Sequence, residues 1–306
     1  MRARISAKRG TSVPMDLKRK DTLAKLAISA VAMIGIFILV FTLIFLIKES
    51  LPVLKSATLR ELLFGLYWYP TYSPPEFGML PLITGSLAVT MLSSLIALPL
   101  SIMVSIFLSE VCPRSMRNFM KPMLEILGFL PSVVLGFIGM VALAPWFQNA
   151  FDLVTGLNLF NASVLLGLLI IPITASLADD AISSVPSDIR DAANALGATR
   201  QETITRVVLP AALPGILQAC LLGMMRGIGE TMVVLMAAGG AAIIPKSLFD
   251  PVRPLTSTIA AEMGETPVGS PHYHALFFAG LLLLLMTLIL NFATIWIERR
   301  WRWQLR

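Results

Sequence analysis

Six long apolar runs dominate the sequence, and each is long enough to cross a lipid bilayer as a helix. Spanning the hydrocarbon core takes about 20 apolar residues, and only helices or closed barrels satisfy the backbone polar groups there. The chain is 14% charged, whereas a soluble domain has about 25% charged residues. We therefore expect an all-α integral membrane protein with about six transmembrane helices. The runs are residues 23–47, 79–108, 122–147, 161–178, 211–238 and 275–297.

Basic residues lie beside alternate ends of these runs and predict which side of the membrane each connection occupies. Cytoplasmic loops carry an excess of Lys and Arg. The other connections are near neutral or acidic, which predicts cytoplasmic termini and external segments at 48–78 and 241–273. The basic segments are two tails and two loops: residues 1–22, 109–121, 179–210 and 299–306.

The first run and the two external segments carry further expectations. Residues 23–47 exceed the roughly 7–15 residues of a signal-peptide core, which indicates an uncleaved transmembrane helix. The segment 48–78 is rich in aromatic residues and proline, and we expect it to anchor the chain at the membrane interface rather than bind a ligand. The segment 241–273 is long enough to hold a re-entrant or interfacial helix.

The basic loop 179–210 has the pattern of two short helices joined by a sharp turn. Ser187 or Asp188 is suited to cap the first helix, because short polar side chains satisfy the free N–H groups there. Gly197 interrupts the pattern with a residue that adopts positive φ freely. Thr199 and Glu202 have the spacing of a capping box for the second helix. The loop is therefore predicted to be helical, ordered and cytoplasmic.

The same loop resembles the "EAA" loop of ABC-importer permeases. The family pattern is Glu-Ala-Ala, three residues, Gly, nine residues and Ile-x-Leu-Pro. Asp191 stands here for Glu and Val207 for Ile, and the spacing is the same. The resemblance implies that this loop couples the permease to an ATPase. The matching residues are Asp191, Ala192, Ala193, Gly197, Val207, Leu209 and Pro210.

Two further stretches resemble permeases of phosphate-specific ABC importers. Residues 226–239, RGIGETMVVLMAAG, resemble their Arg-x-x-Gly-Glu-Thr stretch, and residues 248–265 resemble the outer loop of their C-type subunit. The likeness extends from about residue 80 to the end of the chain. It implies the type I ABC importer permease fold, with a five-span core at residues 79–298 and the first span added.

The resemblance also implies partners. They are a second, A-type permease subunit, an ATP-binding subunit dimer on the cytoplasmic loops and an extracytoplasmic phosphate-binding protein. The sequence has no GxxxxGK[ST] loop, so we expect a non-enzymatic transport subunit without a cofactor. The basic residues cluster beside apolar runs, which indicates a membrane protein rather than a nucleic-acid-binding one.

Arg226 and Glu230 are two ionisable residues inside the fifth run. Arg226 lies about 15 residues into it, or about 22 Å along a helix, which is near mid-bilayer. Charges at that depth are rare and usually functional. One possibility is an ion pair that locks two helices; the other is an anion site, because an Arg fork fits phosphate oxygens. Glu230 would accept the O–H of hydrogen phosphate, which sulfate lacks at neutral pH. We expect Arg226, Glu230 and Thr231 to line the substrate pathway.

Glycine and proline modify the predicted spans at two places. Three glycines of the fifth run leave a face open to another helix or to a solute. In the third run, Pro131 either makes a packing kink or frees backbone groups to line a cavity. The segment resembles the Pro-Ser-Val-Val stretch of phosphate permeases, which implies that Pro131 and Ser132 lie on the pathway. The three glycines are Gly223, Gly227 and Gly229.

Other functions fit the sequence less well. A permease for molybdate or sulfate is the alternative within the same class. An ion-coupled secondary transporter usually has internal repeats, and none is evident. An intramembrane enzyme could use only Asp179–Asp180 and His272–His274, which are predicted on opposite sides of the membrane. We expect the two aspartates to be a solvated helix end and no metal site at the histidines.

Overall fold

The structure is a computed structural model that describes the backbone of residues 15–302 and the side chains of residues 23–296. Most of the predicted basic tail 1–22 and of the tail 299–306 lies outside the described residues. Within them, six helices are long and apolar enough to cross a membrane, which confirms the predicted number. These candidate spans are Leu23–Lys55, Leu80–Val111, Ser132–Ala150, Leu159–Ser183, Arg200–Ile228 and Pro271–Trp296.

The described residues form thirteen α-helices and one small hairpin. The helices are α1 Met15–Ser50, α2 Leu59–Phe64, α3 Leu80–Ile106, α4 Arg114–Gly128, α5 Ser132–Ile138, α6 Ala144–Ala150, α7 Leu159–Ser183, α8 Ser187–Ala195, α9 Arg200–Thr203, α10 Leu209–Ile228, α11 Met232–Ala237, α12 Leu255–Glu262 and α13 Pro271–Arg302. A 3-10 turn, Leu51–Lys55, follows α1, and strands β1 Trp68–Tyr69 and β2 Glu76–Phe77 pair antiparallel. π-helical turns at Phe107–Val111, Gly139–Leu143 and Ile204–Val208 extend α3, join α5 to α6 and join α9 to α10.

The chain divides into two compact units, residues 1–48 and residues 49–306. In the first unit, α1 has no charged residue from residue 26 to residue 47. Phe37, Phe41 and Phe45 stack at four-residue spacing, with ring centroids 6.4 and 6.5 Å apart. A helix that is apolar all round suits lipid rather than water.

The core of the second unit is the pair α3 and α7. α3 has a row of buried Ser and Thr side chains, and α7 supplies the bulky apolar ones, among them Leu165 and Ile170. Thr90 and Ser101 each donate a hydrogen bond to a carbonyl one turn earlier, at 2.8 and 2.7 Å. Small side chains that satisfy themselves in this way let two helices approach closely in a membrane.

The third span begins later than predicted. Pro122 does not open it; this residue lies inside α4, which is amphipathic, and the chain leaves the helix only at Phe129. The new helix α5 begins at Ser132, after Pro131 in extended conformation. The prediction was wrong because α4 is apolar on one face only, so its apolar residues extended the run without making it a span.

The fifth span is not continuous to residue 238 as predicted. α10 ends at Ile228, residues 229–231 leave the helix, and α11 begins at Met232. A second turn follows at Gly239, whose φ of +90° is readily adopted only by glycine. Beside this turn, Val252 N donates to Ala238 O at 2.8 Å, so the segment after residue 240 comes back to the end of α11.

The two segments predicted to be external are folded rather than extended. Residues 48–78 contain α2 and the hairpin, in which Trp68 is buried against Phe77 while Tyr67 and Tyr69 are exposed. Residues 241–273 contain α12, whose first four residues are buried. The sequence leaves the position of this helix open, and the structure places its beginning inside the fold.

Candidate functional site

The helix break at residues 229–231 is built around Glu230. Its N–H still donates to Gly227 O at 3.1 Å, but its side chain turns forward and its Oε1 accepts the N–H of Met232 at 3.2 Å. Glu230 thus supplies an acceptor for the first turn of α11, in the manner of a capping side chain. Its side chain is 4% exposed.

Arg226 and Glu230 form the predicted ion pair. Arg226 lies in the last turn of α10 and Glu230 in the break that follows, so the two are not on one continuous helix. Arg226 Nη1 lies 3.0 Å from Glu230 Oε2. The two partners differ in access, because the Arg226 side chain is 45% exposed and that of Glu230 is nearly buried. Among the described residues, Arg226 has no second hydrogen-bond acceptor. The carboxylate therefore holds one end of the guanidinium and leaves the remaining donors directed to open space.

The sequence leaves open whether the glycine face of α10 is occupied by another helix or by a solute. In the structure, helix α7 lies against Gly223 and Gly227. A Cβ atom on Gly223 would lie 2.2 Å from Thr174 Oγ1 of α7, and one on Gly227 would lie 2.9 Å from Ile170 Cδ1. A Cβ atom on Gly229 would contact only backbone oxygens of the preceding turn, the nearest at 3.9 Å. The face with Gly223 and Gly227 therefore admits α7 and no solute, and the open side of α10 is the side with Arg226.

The break at Pro131 adjoins the break at Glu230 through α5 and α11. A Cβ atom on Gly136 of α5 would lie 3.1 Å from Met232 O of α11. The two short helices thus pack together; α5 begins the third span after Pro131, and α11 follows the end of the fifth span. Pro131 is exposed and Ser132 and Thr231 are half-buried. In the described part of the chain, no hydrogen bond connects Ser132 to Arg226 or Glu230.

Helix α12 contributes two contacts at this site that the sequence did not predict. Thr256 Oγ1 donates to the carbonyl of Glu230 at 2.8 Å, and Leu255 N donates to Ser86 Oγ of α3 at 2.8 Å. The only signal in the sequence is a run of hydroxyl residues, Thr256 to Thr258, two residues after Pro254. That signal indicates a helix start but does not indicate what the hydroxyl groups contact.

The loop predicted to be cytoplasmic folds as two short helices around Gly197, as predicted. Gly197 has φ of +85°, and Thr199 and Glu202 form the predicted capping box. The expectation for the first helix was wrong. Pro186 occupies the cap position of α8, and neither Ser187 nor Asp188 caps it, because the helix already begins at Ser187.

Most of the residues that match the coupling motif lie on the surface of this loop. Asp191 and Ala192 are exposed, whereas Ala193 is buried, and Leu196 beside Gly197 is 89% exposed. Later in the loop, Val207 and Leu209 are half-buried and Pro210 is exposed.

An arginine holds the loop against the spans. Arg190 Nη2 lies 2.8 Å from Glu110 Oε1, at the end of α3, and 3.0 Å from the carbonyl of Ile182, at the end of α7. A further bond, Thr203 Oγ1 to Asn194 Oδ1 at 3.3 Å, connects the two short helices. The contacts of Arg190 connect α8 to the π-helical turn after α3 and to the end of α7.

Asp179 is not a solvated helix end as expected. It is fully buried, and its Oδ2 lies 2.9 Å from both Arg117 Nη2 and Lys121 Nζ of α4. Asp180 is 62% exposed and also pairs with Lys121. Burial alone would lower the pKa of Lys121, but the hydrogen bonds to Asp180 and Asp179 outweigh it and raise that pKa. The expectation failed because α4 was not recognised as a helix that could cover Asp179.

The two histidines that could have formed a metal site have separate carboxylate partners. His272 Nε2 lies 2.8 Å from Glu262 Oε2. His274 Nδ1 donates to the carbonyl of Glu49 at 2.8 Å and lies 3.7 Å from the Oε2 of the same residue. Among the described residues, no three His, Cys, Asp or Glu side chains lie close enough together to hold a metal ion.

Comparison with known proteins identifies the family. Residues 101–303 match the family described as binding-protein-dependent transport system inner membrane component. The chain belongs to this family. With six candidate spans, it is a multi-pass inner membrane protein and a transport subunit of a system that depends on a separate binding protein.

Several relatives in this family match over most of their length. The probable ABC transporter permease protein YqgH of Bacillus subtilis is 39% identical over 87% of this chain and 86% of its own. The phosphate transport system permease protein PstC of Mesorhizobium japonicum is 33% identical over 73% of both chains. The protein of the same name from Pasteurella multocida is 31% identical over 82% and 85%.

Solved structures of this family confirm the predicted type I ABC importer permease fold. A chain of a bacterial alginate ABC transporter matches with a TM-score of 0.59 at 17% identity, over 93% of this chain and 97% of its own. A chain of the MetNI methionine ABC transporter, in an inward facing conformation, matches with a TM-score of 0.57 at 21% identity, over 73% and 97%. At these identities the likeness concerns the fold.

Proposed function

We propose that the chain is the permease subunit through which an ATP-driven importer moves inorganic phosphate into the cell. The observation that carries the proposal is the Arg226–Glu230 pair. A buried ion pair often fails to repay its desolvation, so stability alone is a weak reason for such a pair inside a membrane. Here the arginine is 45% exposed while its partner is buried. This arrangement presents an oriented cation to whatever occupies the open side of α10.

The chemistry of the pair favours phosphate among oxyanions. A guanidinium fork matches the oxygens of phosphate, and hydrogen bonds to a charged group are stronger than neutral ones. Each oxygen of Glu230 accepts one bond from the protein, and a carboxylate can accept about four. Hydrogen phosphate bound at Arg226 therefore has an acceptor for its O–H, whereas sulfate has no proton to donate. The names of the relatives from Mesorhizobium and Pasteurella agree with this choice.

Thr231, Pro131 and Ser132 complete the proposed pathway. Thr231 follows Glu230 in the break, and its Oγ1 donates only a long bond of 3.4 Å to Gly229 O. Pro131 and Ser132 begin α5 directly beside α11. Backbone outside a helix at membrane depth is tolerated where it faces protein or a water-filled cavity. We place the phosphate path along these two interruptions.

The coupling loop and the topology suggest the partners. We propose that an ATP-binding subunit dimer docks at the loop around Gly197, where Leu196 is exposed, and that the motif residues from Asp191 to Pro210 carry its movement. An A-type permease subunit would complete the pathway, and an extracytoplasmic phosphate-binding protein would deliver the anion. Both termini would lie in the cytoplasm, as the distribution of basic residues predicts.

Transport measurements test the substrate. The chain, purified with its partner subunits, is reconstituted in vesicles with ATP and the binding protein, and uptake of labelled phosphate, sulfate and molybdate is compared. We expect phosphate uptake that the other two anions do not inhibit at equal concentration. Uptake of sulfate or molybdate instead would assign the chain to another oxyanion, and uptake that needs an ion gradient but no ATP would overturn the proposal.

A further inference from the structure

Helix α12 is hydrogen-bonded at its inner end to the helix break. Thr256, which is 6% exposed, donates its Oγ1 hydrogen to the carbonyl of Glu230 at 2.8 Å. The preceding residue, Leu255, donates its N–H to Ser86 of α3 at 2.8 Å. The carbonyl of Glu230 lies where α10 has ended and α11 has not begun, so the bond from Thr256 fixes backbone that no regular helix holds.

The outer end of α12 is fixed by three separate parts of the external surface. Glu262 accepts hydrogen bonds from Trp68 Nε1 of the hairpin at 3.1 Å and from Arg253 Nη1 at 2.7 Å. It also pairs with His272 Nε2 at the start of α13, at 2.8 Å. The hairpin, the segment before α12 and the start of α13 thus meet at one carboxylate. These residues line an external cavity of about 570 Å³.

The two ends of α12 are rigidly connected. Thr256 and Glu262 are six residues apart, which is about 9 Å along a helix. The first four residues of α12 are buried, so its inner part cannot move without its surroundings. On the outer side, Tyr67 and Tyr69 of the hairpin are exposed next to the buried Trp68. A protein that presses on the hairpin therefore acts on Glu262, and α12 carries the displacement inward.

We propose that α12 transmits docking of the binding protein at the external surface to the Arg226–Glu230 site, with Thr256 as a positioning residue. This inference rests on the function proposed above, which supplies the binding protein and the role of the pair. A shift of α12 moves the Glu230 carbonyl. Because the side chain of Glu230 holds both Arg226 and the first turn of α11, the shift reorients the cation and the helix together.

The first test compares near-isosteric variants at the inner end in the assembled importer. Thr256→Val removes the hydroxyl donor and keeps the shape, and Thr256→Ser keeps the donor. The measured quantity is the ratio of ATP hydrolysis with and without phosphate-loaded binding protein. We expect Thr256→Val to lower this ratio about threefold to tenfold, as loss of one hydrogen bond does in an equilibrium, and Thr256→Ser to retain it.

A neighbouring hydroxyl is the matched control. Ser257 is also buried, but its Oγ donates to Pro254 O within its own turn and reaches no other element. Ser257→Ala is expected to leave the ratio within about twofold of the wild type, because the lost hydrogen bond ends at Pro254 and does not contact Glu230. An equal loss in Ser257→Ala and Thr256→Val would mean that the contact to Glu230 carries no signal, and would overturn the proposal.

A double-mutant cycle tests the connection between the ends. Trp68→Phe removes the N–H donor to Glu262 and keeps the ring. Sites about 9 Å apart with no shared partner act independently, so two unrelated losses multiply. If α12 transmits one signal, Trp68→Phe lowers the ratio by itself, and the double variant with Thr256→Val is no worse than the worse single one. Losses that multiply in the double variant would overturn the proposal. A wild-type ratio in Trp68→Phe would also overturn it, and this result does not depend on whether Thr256→Val assembles.

The readout separates this inference from the proposed function. The cycle is measured as stimulation of ATP hydrolysis, which does not require that Arg226 bind the transported anion. Phosphate uptake by Arg226→Lys is measured beside it. If Arg226→Lys takes up phosphate normally and the double variant is no worse than the worse single one, Arg226 is not on the pathway and α12 is still the transmitting helix. If Arg226→Lys loses uptake and the two losses multiply, Arg226 stays on the pathway and α12 does not transmit the signal.

Discussion

Replacement of Gly197 by valine tests the coupling loop through backbone strain alone. The φ of +85° costs an L-residue with a Cβ about 1–2 kcal/mol, and a β-branched residue is a genuine outlier there. No heavy atom lies within 4 Å of a Cβ built on Gly197, so the substitution creates no clash. A cost of about 1–2 kcal/mol shifts the equilibrium between the native turn and a rearranged loop by about 5- to 30-fold.

The assay is stimulation of ATP hydrolysis by the phosphate-loaded binding protein in the reconstituted importer. We expect Gly197→Val to assemble but to lose stimulation by up to about 30-fold, the upper limit of that shift. Gly197→Asn is the matched control, because asparagine tolerates this conformation, and it should stay near the wild type. Equal stimulation in both variants and in the wild type would refute the reasoning, since the turn would then have no part in coupling.

Two further predictions concern packing and ion pairs between helices. Gly223→Ala should lower the stability of the assembled complex by about 1–3 kcal/mol, because the added methyl group overpacks on Thr174. Adding Thr174→Ala should relieve most of this loss. Thermal unfolding in detergent measures both effects. Asp179→Asn should destabilise the complex by about 3–5 kcal/mol, because it leaves cations of α4 uncompensated. Asp180→Asn, at an exposed position, should change the stability by about 1 kcal/mol or less. Equal melting temperatures of the two variants would contradict the structural role of the buried Asp179.

The number of spans was predictable because apolar length alone decides it, but two span boundaries were not. Pro122 and Pro131 are both prolines in one apolar run; the first lies inside α4, and the second directly precedes α5. What distinguishes them is that α4 covers Asp179 with its charged face, a contact between residues about sixty positions apart. At the other boundary, Glu230 interrupts the fifth span because its side chain caps α11, which hydropathy does not detect.

The candidate site was predictable where it depends on local spacing. Arg226 and Glu230 are four residues apart, so their pairing follows from the sequence, and the turn at Gly197 follows from the freedom of glycine. The contact from Thr256 to Glu230 joins residues 26 positions apart, and the contact from Leu255 to Ser86 joins residues 169 apart. Such contacts depend on how the external segment folds back, which no local pattern in the sequence specifies.

In the proposed mechanism, Arg226 binds the transported phosphate. Phosphate uptake by the importer with Arg226→Gln and Glu230→Gln combined tests it directly. The two amides remove both charges, and the Oε1 of a glutamine at position 230 can still accept the N–H of Met232, so the break should fold and the complex should co-purify. We predict assembly without uptake, and a loss of about tenfold or more in Arg226→Lys, because hydrogen bonds to a charged group contribute about 1.5–3 kcal/mol. Uptake near the wild-type rate in the double variant would make the pair structural and contradict the account.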